Sequence, residues 1–204
     1  MNTDRNSLVA GRFRGFYPVV VDVETAGFDP VKDALLEVAV VFLQTDPDGI
    51  WSPLETVSKH IQPFPGANLD KAALEFTGID PDHPFRKEIA VPEKEALRDI
   101  FQAAKRLIRE HGCTRAILVG HNPAFDLSFI NAAANRSGFK RNPFHPFSTF
   151  DTATLGGLAY GQTVLSRAVQ AAGLEWEEEE AHSALYDSER TAELFCNIVN
   201  LWPL

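Results

Sequence analysis

Asp22 and Glu24 stand in the run Pro18-Val-Val-Val-Asp22-Val-Glu24-Thr25, an apolar, β-branched stretch that reads as a buried strand. Side chains alternate along a strand, so the two carboxylates share a face and can reach one ligand. Asp126 ends the segment His121-Asn-Pro-Ala-Phe-Asp126, and Asp187 ends His182-Ser-Ala-Leu-Tyr-Asp187. Gathering carboxylates in a core is unfavourable unless a cation neutralises them. Oxygen donors alone favour hard cations, Mg²⁺ or Mn²⁺, over zinc. Two such ions about 4 Å apart can grip one phosphodiester, activating a water on one side and stabilising the leaving oxygen on the other. His182 is the candidate general base, because histidine is the residue type suited to proton transfer near neutral pH and this one lies five residues before a ligand; its plainer alternative is an exposed loop histidine. His121 reads as structural.

The elements that would carry these residues follow from pattern. Residues 18–24 and 35–43 read as strands, and 55–61 as a third, joined by turns at Gly27-Phe-Asp-Pro30 and Asp46-Pro-Asp-Gly49 into an antiparallel meander. A helix is expected from Pro92 to Gly112, with Glu93 and Glu95 in its first turn. Ala116 to Gly120 is a short strand, residues 123–135 a helix, and Phe150-Asp151 marks a further short strand. Helices at 163–172 and 183–201 complete an α/β order with a mixed central sheet flanked by helices. In the last helix Ala184, Asp187, Thr191, Leu194, Ile198 and Leu201 make one inward stripe, and Asp126, Phe129, Ile130 and Ala133 make another upstream. Each stripe aims an acid at the core. Taken singly, Asp126 also suits a helix cap and Asp187 a pair with Arg190.

The 204 residues, 45% apolar, suit one domain over 11–204 behind a polar, disordered start at 1–10. No stretch approaches the roughly 20 apolar residues of a membrane span, and no secretory signal opens the chain. Cys113 and Cys196 suit a reducing, cytoplasmic setting. A net charge of −9 argues against binding nucleic acid by overall field, so phosphate contacts must be local. Arg12, Arg14, Lys105, Arg106, Arg109, Arg115, Lys140 and Arg141, interleaved with Phe13, Phe16, Phe139 and Phe144, suit such a surface. Composition alone favours plain solvated helix faces. The run Glu177 to Glu180 reads as a solvated loop.

The segments Asp22-Val-Glu24-Thr25, Asn122-Pro-Ala-Phe-Asp126 and His182-Ser-Ala-Leu-Tyr-Asp187 resemble, in type and order, the three motifs of the DEDDh 3′→5′ exonucleases. Further segments are similar to the ribonuclease T branch of that family: Gly66-Ala-Asn-Leu69, Phe76-Thr-Gly-Ile-Asp-Pro81, Lys140-Arg-Asn-Pro-Phe-His-Pro-Phe147 and residues 181–190. The resemblance implies an RNase H-like fold, two Mg²⁺ ions with a histidine base, and a homodimer. It implies trimming of single-stranded 3′ ends of tRNA and other stable RNAs, with action on single-stranded DNA as well. By the same resemblance Phe28, Phe76, Phe125 and Phe147 hold the last bases. Arg12, Arg14, Arg109, Arg115 and Lys140 would grip the RNA from the opposite subunit. Ala72 departs from the branch, which has an acid there near the terminal base; Glu75 lies three residues on. The rivals are another DEDDh exonuclease, such as a proofreading subunit or an oligoribonuclease, and a binding module that has lost catalysis. The presence of all four acids and His182 favours an enzyme.

Overall fold

The strand that carries the first two acids, β1 (Phe16–Thr25), lies in the middle of a five-stranded sheet in this computed structural model, which describes residues 3–202. Tyr17 to Val21 are buried without interruption, the mark of a strand covered on both faces. β2 (Leu35–Thr45) pairs antiparallel with β1, and β3 (Trp51–His60) antiparallel with β2, giving the expected meander. On the other side β4 (Arg115–Gly120) runs parallel to β1, and β5 (Phe144–Asp151) parallel to β4, so the order is β3-β2-β1-β4-β5. The β1–β4 pairing covers only Phe16 to Val20. Asp22 and Glu24 therefore project beyond the end of a parallel pair, where an α/β sheet leaves room for a ligand.

The helices are α1 (Thr3–Arg12), α2 (Lys71–Thr77), α3 (Pro84–Ile89), α4 (Glu93–Glu110), α5 (Ala124–Arg136), α6 (Thr152–Tyr160), α7 (Leu165–Ala171) and α8 (Ala184–Asn200). The main core joins the valines of β1 and β2 to Leu97, Ile100 and Phe101 of α4, Phe129 and Ile130 of α5, and Phe195 of α8. α8 crosses β3, β2 and β1, and its far end is fixed by Asn200, which accepts from Trp51 N–H at 2.8 Å and donates to Trp51 C=O at 3.0 Å. Among the described residues no helix is long and apolar enough to cross a membrane.

Three expectations are corrected. The start at 1–10, expected to be disordered, is helical from Thr3, and Val9 is fully buried against the main core; Met1 and Asn2 lie outside the described residues. Leu201 leaves the inward stripe and is 53% exposed, because α8 stops at Asn200. β5 begins at Phe144, well before Phe150.

Candidate active site

β1 sets Asp22 and Glu24 on one face, half-buried, and α8 brings Asp187 to them from its first turn. Each of these three offers a carboxylate oxygen within 4.8 Å of the others. Asp126, in the first turn of α5, is 4% exposed and stands outside that trio. Its Oδ1 accepts the main-chain N–H of Val23 at 3.1 Å, which fixes it against β1 between the two strand acids. Neither plainer reading of the helical acids applies. Asp126 caps no helix, and Arg190 donates to Glu193 at 2.9 Å instead of to Asp187.

The electrostatics of the group are unfavourable without a counter-charge. Burial first, then Asp126, Glu24 and Asp187, push the Asp22 carboxyl well above the usual carboxylate range. Burial and then Asp187 raise Glu24 to about 8. Burial raises Asp126, against the pull of its backbone hydrogen bonds, and it raises Asp187, which the His182 N–H partly offsets. Asp187 Oδ2 accepts that N–H at 3.3 Å, while Asp187 Oδ1 is buried with no hydrogen-bond partner. A buried, unpartnered carboxylate oxygen beside two further carboxylates fits a divalent cation held by oxygen donors.

This yields a pH prediction. In the folded, metal-free chain these acids keep protons that the unfolded chain has released, so stability is full below the ordinary carboxylate range and falls as pH rises towards the Glu24 value of about 8. A melting curve with chelator should shift down between about pH 5 and about pH 8, and a divalent cation should raise the midpoint more at the higher pH. Equal cation stabilisation at both would count against the acid cluster as the binding site.

His182 is exposed and adopts a left-handed φ of 65° just before α8. Its ring rests on Phe76, centroids 4.8 Å apart, and its own N–H tethers it to Asp187. His121 is structural as expected: Nε2 donates to Thr163 C=O at 2.8 Å, and Nδ1 meets the Thr152 hydroxyl at 3.0 Å. Burial lowers its pKa, which suits that neutral, bonded ring.

Beside the acids lies an apolar cleft of ≈ 390 Å³. Glu24, Thr25, Gly27 and Phe28 make one wall, Ala72, Ala73 and Phe76 of α2 the other, and Phe125 also lines it. Phe28 is 86% and Phe76 70% exposed, too open for core residues. Phe147 does not line this cleft. It lies on β5, 80% exposed, edge-on to His145, which packs on Phe16 under the Arg14 guanidinium. Arg109, Arg115 and Lys140 share a separate cleft of ≈ 620 Å³ with Lys105 and Arg141. Arg12 is half-buried and donates to Val199 C=O at 3.3 Å, so part of its role is to dock α1. Ala72 faces the aromatic cleft, whereas Glu75 is not part of its lining and reaches Lys71 at 3.4 Å. Glu177 to Glu180 are solvent-exposed as expected, but Glu178–Glu180 form a 3-10 turn where a loop was expected.

Sequence reading passed over Glu37, which pairs with Glu24 across β1 and β2 and helps raise its pKa. Arg86 of α3 donates to Glu37 at 2.8 Å, and His60 Nδ1 lies 3.0 Å from the same oxygen. An acid inside the apolar run 35–43 was the available signal.

An exonuclease family model, RNase T, matches residues 19–195. The chain is 61% identical over 191 residues to ribonuclease T of Marinobacter nauticus, covering 94% of this chain and 86% of that one. Its fold is similar to the nuclease domain of 3′hExo, a DEDDh family member solved with rAMP, at a TM-score of 0.68 and 19% identity over 90% of this chain and 92% of that one. It is also similar to Escherichia coli exonuclease I in complex with a dA16 oligonucleotide, at a TM-score of 0.66 and 17% identity. There it covers 91% of this chain and spans only 41% of exonuclease I. The two structural likenesses speak for the fold alone; the motif order, the acid cluster and the family match speak together for more. This chain belongs to the ribonuclease T family of exonucleases.

Proposed function

We propose that this exoribonuclease removes nucleotides from single-stranded 3′ ends of tRNA and other stable RNAs, and from single-stranded DNA. The observation that carries the reading is the contact between the acid cluster and the aromatic cleft, with Glu24 lining both. Asp22, Glu24, Asp126 and Asp187 would hold two Mg²⁺ ions, with Mn²⁺ able to replace them. When bound, such ions supply Lewis-acid activation of water and stabilisation of the leaving oxygen. His182 accepts the proton of the attacking water on a ring nitrogen. Phe28, Phe76 and Phe125 stack the terminal bases, each stack contributing roughly 1–3 kcal/mol. A paired end cannot enter without first unpairing.

The chain is read as one exonuclease domain that takes in α1, acting in the cytoplasm as a homodimer. Arg14, Arg109, Arg115 and Lys140, with Phe147 linked to Arg14 through the rings of His145 and Phe16, then form a surface for phosphates and an upstream base. Its separation from the acid cluster within one chain supports a role towards the partner's site. Sedimentation at a single-chain mass under assay conditions would remove that part.

Replacing Phe28 and Phe76 by alanine should weaken binding of short single strands by roughly 1–3 kcal/mol per ring lost, with a smaller effect on the chemical step. A 3′-labelled single strand, the same strand as a blunt duplex, and anisotropy binding test the reading. Degradation of the stable duplex as fast as the single strand would overturn it.

A further inference from the structure

Phe28 sits on a loop whose shape is set by a buried acid that takes no part in the metal cluster. Gly27 has φ +152°, and a Cβ there would fall on the Asp33 carboxylate, so this turn requires glycine. Asp33 is 6% exposed. Its Oδ2 accepts the N–H of Asp29 at 2.8 Å, and its Oδ1 accepts from Asn68 Nδ2 at 2.7 Å. The loop's outer end is fixed separately, by Arg136 donating to Pro30 C=O at 2.7 Å.

Asn68 belongs to the segment that leads into α2, the opposite wall of the aromatic cleft. Its main chain bonds the loop in both directions, Asn68 N–H to Lys32 C=O at 2.8 Å and Ala34 N–H to Asn68 C=O at 3.2 Å. Asp70, the N-cap of α2, donates its own N–H to Ala26 C=O at 3.0 Å. Against this, α2 has no buried residue of its own; Leu74, with Ala67 just before the helix and Ile79 just after it, packs partly buried on the small cluster of Ala26, Ala34 and Leu36. A short helix so lightly packed takes its position from its polar attachments.

We infer that Asp33 and Asn68 form a latch between the two walls of the cleft, and that the latch sets the gap between Phe28 and Phe76 and hence the grip on the 3′-terminal base. Both are positioning residues, and the inference rests on the base-stacking role proposed for the cleft. Removing the Asn68 side chain leaves the loop held by Arg136 and leaves the acids of β1, α5 and α8 untouched. The loss should fall on base affinity and spare the chemical step.

The polarity of the bond gives a test that a general loss of fold cannot imitate. In Asn68→Asp two carboxylates face one another, and KM for a short single strand should rise about tenfold with kcat within a factor of about two, the scale of a lost hydrogen bond to a charged group. Asp33→Asn should be mild, because the Asn68 amide can turn its oxygen towards the new amide N–H. The double variant Asp33→Asn/Asn68→Asp restores donor to acceptor and should return KM to the wild-type value. The same strand ending in an abasic nucleotide offers no ring to grip, so wild type and all variants should share one raised KM on it. If Asn68→Asp does not fold, Asn68→Ala carries the same KM prediction. A wild-type KM in Asn68→Ala, no recovery in the double variant, or kcat falling in step with KM would overturn the latch. If wild type instead handles the ordinary and abasic ends alike, the base-stacking reading itself fails, a result distinct from failure of the latch alone.

Discussion

Asp22→Asn and Asp187→Asn should each remove nearly all turnover while leaving single-strand binding in place. Both residues belong to the trio whose oxygens lie within 4.8 Å of one another, and Asp187 Oδ1 has no protein partner to hold. An amide keeps the shape of the side chain but cannot supply the negative charge a hard cation requires. The loss should therefore exceed the roughly 10–100-fold typical of removing an outer-shell partner of a metal ligand. The proposed binding surfaces, the aromatic cleft and the basic cleft, are not lined by Asp22 or Asp187. The metal-free protein supplies a second readout of opposite sign. Burial and then the carboxylates of Asp126, Glu24 and Asp187 all disfavour the charged form of Asp22. Asp22→Asn should raise the melting midpoint in chelator near neutral pH and abolish the further gain from added cation. Near-normal cation-dependent activity in both variants would sink the assignment of these acids.

His182→Ala should lower the rate by roughly two to four orders of magnitude, the usual range for a lost general base. Cation affinity should change little, since only the His182 main-chain N–H touches the acid cluster, and alanine keeps that N–H. The left-handed φ of 65° costs a non-glycine residue some strain, which is consistent with a residue held where function needs it. The ring rests on Phe76, which places it at the edge of the cleft proposed for the terminal nucleotide. Collapse of cation affinity in this variant would place the imidazole among the ligands and break the proposed division of roles.

The parts of this arrangement legible in the sequence were those with a strict period. The β-branched run of β1 and the stripe from Ala184 to Ile198 each fixed the direction of an acid before any contact was known. Elements without such a period were lost. α6 contains the pair Gly156-Gly157, which reads as a break; in the fold a Cβ at Gly156 would lie 2.9 Å from Gln162 C=O and 3.2 Å from Ala168 Cβ, so the glycine permits close approach to α7. β5 hides behind Pro146, tolerable because its pairing with β4 is irregular there. Resemblance grouped Phe147 with the other three phenylalanines, but one chain brings only Phe28, Phe76 and Phe125 together. Motif order carries no information about which surface of which subunit a residue faces. The Asp33–Asn68 contact joins residues 35 apart through a single side-chain hydrogen bond, a relation no periodicity encodes.

α8 supplies the acid that β1 lacks, and β1 is synthesised long before α8. A nascent chain emerging beside ribosomal and transfer RNA holds Asp22 and Glu24 but not Asp187, and a chain cut ahead of residue 184 never gains it. Asp187 joins Asp22 and Glu24 only once α8 has packed across β3, β2 and β1. A copy that stops short of α8 therefore lacks the third carboxylate of the trio, and is expected to show no cation-dependent turnover.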